Sequence, residues 1–389
     1  MLYINNTNFR LLLVPIMICI LFFILNDGWQ KHNDSTKYIQ TLERIETGDG
    51  WFHSGIMLRP GAVYISYFIP FLSPENSFGF QNAIFFTLIF PLMYYYSKNF
   101  VSDRLSIFCA LLLISSFPVM YWGLAVLNDM GSWFFVLLSL HLCIKSINNN
   151  LDNRSLLLAG FATGFGILYK TSVVSVLGFF ITYILFRFKS INFQKKAILL
   201  SFFILCSIIP ASINQVYLWI ADYDVSYWEH FFKPLLASFL PFLSEGNSTV
   251  TIEGDSTFRD SRLYHVLTFV IAFPLIPLAV GYIFFTRKLK LDFFMKDVFL
   301  IFSLMVILLI IAYGIYSPRF SFLLFPVVIP LTILSLEKTF DTVSEYNYPL
   351  MEKNILWFLF LFTFFLVNFL VAVKGEYVRE ILGIWSSNA

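Results

Sequence analysis

Two acidic residues stand where apolar segments begin or end. Asp34 follows the first apolar run and opens a short amphipathic stretch, and Asp129 stands at the start of a later apolar run. A carboxylate in such a place can accept a proton from a hydroxyl, or it can cap a helix. Position alone leaves both interpretations of Asp34 and Asp129 open.

Three basic residues, Lys170, Arg319 and Arg59, also lie beside apolar runs. Arginine offers a planar fork that suits phosphate, and lysine offers a point charge. The alternative is that these long side chains extend from a helix end to the membrane surface. We favour phosphate binding, because basic residues on the outer side oppose the usual inside bias.

The composition of the whole chain indicates that it folds in a lipid membrane. Of the 389 residues, 58% are hydrophobic and 13% are charged, and the mean hydropathy is +0.75. A soluble domain carries about 25% charged residues, and a chain of this size could not bury so much apolar surface in water. The composition therefore predicts an integral membrane protein, and nothing in it indicates a nucleic-acid partner.

A spanning helix needs about 20 mostly apolar residues. By that measure residues 1–389 form one membrane-embedded domain, an all-α polytopic fold with about eleven transmembrane helices. The predicted spans are 9–25, 79–97, 104–121, 125–144, 155–169, 171–187, 197–220, 263–285, 298–316, 320–336 and 355–373.

The charges predict the orientation. With the N-terminus in the cytoplasm, inner segments hold 15 basic and 8 acidic residues, whereas outer segments hold 11 basic and 16 acidic residues. This distribution follows the positive-inside rule. It places two long loops, 26–78 and 221–262, on the outer face of the cell membrane, and function is expected there.

The first outer loop is predicted to contain two short surface helices. Tyr38 and Leu42 belong to an apolar set at helical spacing that ends at Gly48. Pro60 then starts an apolar stretch of about eleven residues, which is too short to span a bilayer. Amphipathic helices of this kind lie on the membrane surface.

Five motifs follow one another along the chain: Asp34–Tyr38, Arg59–Gly61, Asn128–Asp129, Ala159–Lys170 and Ser317–Phe320. In this order they resemble the glycosyltransferase C superfamily, whose members use polyprenyl-phosphate sugars. The nearest branch resembles the protein O-mannosyltransferase and lipid A aminoarabinose transferase group. Many members have two acids at the first motif and Pro-Pro at the second, where this chain has Asp-Ser and Arg-Pro-Gly.

The resemblance implies a glycosyltransferase that moves a hexose or pentose from a polyprenyl phosphate to a lipid, glycan or protein acceptor at the outer face, with inversion by single displacement. Asp34 is expected to be the base and Asp129 to support it. The expected donor-phosphate ligands are Lys170, Arg319 and Arg59, and the weaker sugar or acceptor contacts are Tyr38 and His53.

Two other functions are weighed against this one. An O-antigen-type polymerase or ligase has a similar number of spans but depends on outer-loop arginines. A lipid-linked glycan transporter or flippase should carry charges at mid-bilayer and paired repeats, whereas the charges here lie at span ends. No metal ligand set is predicted, and the resemblance leaves a divalent ion open as a cofactor.

Overall fold

The computed structural model describes residues 6–32, 34–187, 191–229, 233, 292–313, 322–345 and 353–373. These residues form helices and their connections, and none of the described residues lies in a strand. The helices are α1 Asn6–Leu25, α2 Ser35–Thr47, α3 Ser54–Met57, α4 Gly61–Tyr67, α5 Pro74–Ser97, α6 Asp103–Ile114, α7 Phe117–Tyr121, α8 Asp129–Asn148, α9 Asn153–Tyr169, α10 Val174–Arg187, α11 Phe193–Ile220, α12 Phe293–Tyr313, α13 Phe325–Glu345 and α14 Lys353–Val373.

The prediction of an all-α integral membrane fold is confirmed, but the count of eleven spans is not. Within the described ranges, five helices are long and apolar enough to cross a membrane. The predicted span 263–285 lies outside the described residues. The five helices are Pro74–Ser97, Asp129–Asn148, Phe193–Ile220, Phe322–Thr342 and Lys353–Val373.

The predicted span 104–121 is divided into α6 and α7. The helix ends at Ile114, and Pro118 lies in the first turn of α7 after Ser116 as N-cap. Proline fits a first turn but interrupts the hydrogen bonds of a helix interior. The Phe117 amide at the break donates to Asn368 Oδ1 of α14 at 2.8 Å. A helix distant in the sequence thus provides the hydrogen-bond acceptor that this amide needs.

The predicted span 125–144 begins four residues too early, because the connection before α8 is buried without being helical. Its Val126 amide donates to the Gln30 carbonyl at 3.0 Å. The buried Asn82 amide group of α5 donates to the carbonyls of Ala125 at 2.6 Å and Leu127 at 2.9 Å. Buried backbone groups need such partners, and this set allows an irregular segment at membrane depth.

Glycines bring α9 and α11 together. A Cβ added at Gly164 would lie 2.6 Å from the Ser207 carbonyl oxygen, and one added at Gly160 would lie 2.6 Å from Cys206 Cβ. Small residues let helix backbones approach closely in membranes. This packing fixes α9, whose end leads into the connection that carries Lys170.

One end of the bundle gathers the segments that carry the predicted site. Gln30 Nε2 donates to the Ala372 carbonyl at 2.9 Å, which joins the first loop to the end of α14. The Val126 contact joins the same loop to the start of α8. We call this the first-loop end, meaning the end that carries residues 26–34 and the start of α8.

Other helix ends meet at the opposite end of the bundle. Asn148 Nδ2 donates to Asn99 Oδ1 at 3.3 Å, and Arg104 Nη2 donates to Asn354 Oδ1 at 2.6 Å. The helices thus alternate in direction as the predicted topology requires. Which end faces the cell interior stays a prediction from the charges.

Candidate functional site

The first surface helix forms where the sequence predicts it. In α2 the side chains of Tyr38 and Leu42 are buried, one helical turn apart. Tyr38 packs edge-on against Phe78 of α5, with ring centroids 5.9 Å apart. The helix ends at Gly48, whose φ of 84° is a left-handed conformation that glycine adopts readily.

Asp34 occupies the N-cap position of α2, but its side chain makes no capping hydrogen bond. Its carboxylate lies 3.5 Å from Lys37 Nζ, and the Asp34 side chain is 46% exposed. An exposed ion pair of this kind contributes little to stability. The carboxylate therefore combines an ordered backbone position with access from outside.

Asp129 and Lys170 form a buried ion pair. The carboxylate of Asp129 has no exposed surface, and the Lys170 side chain is 10% exposed. Asp129 is the first residue of α8, where the helix dipole favours a negative charge. The two residues are 41 positions apart, so the pair ties α8 to the connection after α9.

Backbone geometry brings Lys170 to that pair. Lys170 is extended, with φ −160° and ψ 131°, and its amide still donates to the Gly166 carbonyl at 2.9 Å. A single 3-10 turn, Thr171–Val173, then leads into α10. Next to the pair, the Asn128 side chain donates to the Tyr169 carbonyl rather than capping α8.

Tyr169 was not predicted from the sequence as part of the site. Its buried ring occupies space that two glycines leave open: a Cβ at Gly131 would lie 2.3 Å from the ring, and one at Gly61 would lie 2.6 Å from it. The ring thus joins the starts of α8 and α4 beside Lys170. The signal in the sequence was a glycine in the first turn of both helices.

His53 and Arg59 flank the short helix α3 in the sequence. His53 Nδ1 accepts a hydrogen bond from the Gly55 amide at 3.1 Å, and Arg59 Nε donates to the Gly55 carbonyl at 3.0 Å. The second surface helix, predicted at about eleven residues, is the seven-residue α4. Its apolar continuation is not helical, and Phe68 and Phe71 there are highly exposed.

The described start of the second outer loop packs on the first loop. Asn214 Nδ2 of α11 donates to the Met57 carbonyl at 2.9 Å and to the Tyr227 hydroxyl at 3.1 Å. Tyr64 donates from its hydroxyl to Asn214 Oδ1 at 3.2 Å. Burial raises the pKa of Tyr64 to about 12 and also raises the pKa of Tyr227, so both phenols stay neutral.

An apolar groove of about 720 Å³ runs between α1 and α5. Ile16 and Phe23 line it from α1, and Ala83 and Phe80 line it from α5. Trp29 stands at the end nearest the first loop. Several lining side chains are exposed on the bundle surface, so the groove is open at the side of the bundle.

Some predicted site residues are not described. Arg319 lies outside the described residues, as does most of the loop 221–262. Within the parts of the chain that the structure covers, no three His, Cys, Asp or Glu side chains form a group that could hold a metal ion. The predicted site residues that the structure describes are therefore Asp34, Tyr38, His53, Arg59, Asp129 and Lys170.

Comparison with known proteins gives one family match. Residues 65–213 match the family model described as dolichyl-phosphate-mannose-protein mannosyltransferase. That stretch contains Asp129 and Lys170, whereas Asp34 precedes it. No curated protein matches the chain.

Three solved structures share the fold. ArnT from Cupriavidus metallidurans, bound to undecaprenyl phosphate, matches with a TM-score of 0.62 at 12% identity over 97% of this chain and 73% of that one. AglB from Archaeoglobus fulgidus, in complex with an inhibitory peptide and a dolichol-phosphate, gives 0.56 at 14% identity over 95% and 56%. The apo oligosaccharyltransferase of Archaeoglobus fulgidus gives 0.53 at 14% over 95% and 55%.

The fold and the family match together define a class. The chain spans about half the length of the archaeal oligosaccharyltransferases that it resembles. At these identities the structural likeness shows the fold. That fold is the one of the glycosyltransferase C superfamily, and the resemblance predicted from the sequence is confirmed.

Proposed function

We propose that the chain transfers a sugar from a polyprenyl-phosphate donor to a lipid, glycan or protein acceptor on the non-cytoplasmic face of the membrane. The matched family is named for a dolichyl-phosphate-mannose donor, and two similar structures hold a polyprenyl phosphate. Both facts support a donor with a lipid phosphate as its leaving group.

The observation that carries the proposal is the state of Asp34. Its carboxylate lies at the start of α2, is partly exposed and does not cap the helix. A base must reach the acceptor hydroxyl while its own position is fixed. An exposed carboxylate at the start of a helix suits both requirements, which supports the assignment of Asp34 as the base.

The proposed reaction is a single displacement. The acceptor oxygen forms a bond to the anomeric carbon while the bond from that carbon to the phosphate oxygen breaks. The hydroxyl proton passes to Asp34, and polyprenyl phosphate leaves with the electron pair. Attack opposite the leaving group inverts the anomeric centre.

The leaving phosphate requires positive charge. The charge of Lys170 is balanced by Asp129 in the buried pair. We therefore assign Lys170 to orienting the phosphate and Asp129 to holding Lys170. Arg59 and Arg319 then supply the net positive charge that the phosphate needs.

The lipid part of the donor or acceptor needs an apolar place at membrane level. The groove between α1 and α5 is of that kind, and its Trp29 end leads directly to the segment before Asp34. Burying a hydrocarbon chain against protein side chains leaves its phosphate or sugar near the membrane surface, at the depth of the first loop.

A transfer assay tests the proposal. Membranes containing the parent chain are given a panel of radiolabelled polyprenyl-phosphate sugars, and the label transferred to acceptors is counted. Asp34→Asn should lower transfer by about 100-fold or more, because general-base catalysis contributes about 10²–10⁴-fold. The matched control is Asp49→Asn, another exposed carboxylate in the same loop that accepts a hydrogen bond from Thr47.

The control should retain near-parent transfer. Full activity of Asp34→Asn would remove Asp34 as the base. Absence of transfer by the parent from every lipid-phosphate donor, together with transfer from a nucleotide sugar, would remove the proposed donor class.

A further inference from the structure

The turn that carries Asp34 is closed by two hydrogen bonds between its flanking residues. The His32 amide donates to Ser35 Oγ at 2.8 Å, and the Ser35 amide donates to the His32 carbonyl at 2.8 Å. Ser35 has no exposed surface, so its hydroxyl depends on partners inside the protein. The reciprocal bonds fix the separation of His32 from Ser35 and hold Asp34 in a helical backbone conformation.

The direction of the Ser35 hydrogen bond is unusual for a helix start. A serine or aspartate there commonly accepts from amides further inside the helix. Ser35 accepts instead from the amide three residues before it, and the Asp34 side chain does not cap α2. Ser35 therefore closes the turn.

The His32 ring ties the same turn to α7. Its centroid lies 4.8 Å from that of the Tyr121 ring, and its Nε2 lies 3.5 Å from the Tyr121 carbonyl oxygen. A carbonyl oxygen only accepts hydrogen bonds, so a hydrogen bond here requires that Nε2 carries the proton. Tyr121 ends α7, and the connection that follows leads to Asp129.

We propose that Ser35 is a positioning residue for Asp34, acting through the closed turn that His32 anchors on Tyr121. The inference rests on the proposed function, in which Asp34 accepts the acceptor proton. A displacement of about 1 Å at a reacting group can cost about 100-fold in rate. Loss of Ser35 Oγ removes one of the two bonds that prevent such a displacement.

The test compares two buried hydroxyls of α2. Ser35→Ala removes the turn closure, whereas Thr41→Val removes a hydroxyl that bonds only to the Lys37 carbonyl of its own helix. We expect Ser35→Ala to lower kcat by about 10- to 100-fold with donor KM within about twofold. Thr41→Val should leave kcat within about twofold, and Ser35→Thr, which keeps the hydroxyl, should recover most of the lost rate.

Amide hydrogen exchange gives a second readout that does not depend on transfer. Exchange at residues 32 and 35 should rise by at least tenfold in Ser35→Ala and stay at the parent rate in Thr41→Val. Unchanged exchange or unchanged kcat in Ser35→Ala would overturn the positioning role, as would an equal loss of kcat in Thr41→Val.

Failure of the proposed function has a different signature. If Asp34→Asn is as active as the parent, Asp34 is not the base, and the positioning role falls with it. If Asp34→Asn is inactive while Ser35→Ala is fully active, Asp34 is still the base, but Ser35 does not position it.

Discussion

At the scale of single residues, the Asp129–Lys170 pair has the clearest energetic role. Both charges are withdrawn from solvent, and each is tolerated because the other is beside it. Asp129 lies in the first turn of α8, where the positive end of the helix dipole stabilises its carboxylate. The pair thereby fixes the connection between α9 and α10 at the first-loop end.

A double-mutant cycle tests that role. Asp129→Asn or Lys170→Met alone leaves one buried charge without its partner, which should cost about 3–5 kcal/mol and lower the detergent-solubilised melting temperature. The double variant should lose clearly less than the sum of the two single losses. Additive losses would show that the two side chains do not stabilise each other.

The sequence predicted both members of this pair as site residues but not their pairing. Each stands at the end of an apolar run, which is visible in the sequence. Their contact spans 41 positions and depends on the extended conformation of Lys170, which a local pattern does not encode. The Ser35 turn was also missed. Ser35 accepts a hydrogen bond from the amide of His32, which precedes the helix, and the helical pattern of the sequence does not indicate that bond.

At the scale of elements, helical spacing predicted α2 well because its buried and exposed faces alternate regularly. The start of α8 was placed too early because residues 125–127 are apolar but not helical. Their carbonyls bond to Asn82 on another helix. Such tertiary hydrogen bonds leave no periodic signal in the segment that they stabilise.

The groove between α1 and α5 leads to a prediction of its own. Ala83→Phe places a ring in the groove and should raise the KM of whichever lipid-linked substrate occupies it by about tenfold, with kcat little changed. Ile198→Phe, on an exposed face of α11, is the control and should change neither constant. Steady-state transfer kinetics decide between these outcomes. An unchanged KM for both donor and acceptor in Ala83→Phe would exclude the groove as a substrate site.

At the scale of the whole molecule, alternating helix directions gather the first loop, Asp129 and Lys170 at one end. The charges predict that this end faces away from the cytoplasm. Sidedness matters because a polyprenyl-linked sugar must reach the same face as the base. The orientation of this end stays a prediction from the distribution of Lys and Arg.

Cysteine labelling tests the orientation. The four native cysteines, Cys19, Cys109, Cys143 and Cys206, are all buried, so a new surface cysteine should dominate the reaction. A membrane-impermeant maleimide should label Asp49→Cys in intact cells. It should label Asn149→Cys, at the opposite end of the bundle, only after permeabilisation. The reverse pattern would place the first loop in the cytoplasm.

The most direct measurement uses purified protein in proteoliposomes with the donor identified from the panel. Sugar transferred and polyprenyl phosphate released are quantified together for the parent and Asp34→Asn. We predict one phosphate released per sugar transferred by the parent, and rates at least about 100-fold lower in Asp34→Asn. Equal rates in the two proteins, or sugar transfer without release of the lipid phosphate, would contradict the account.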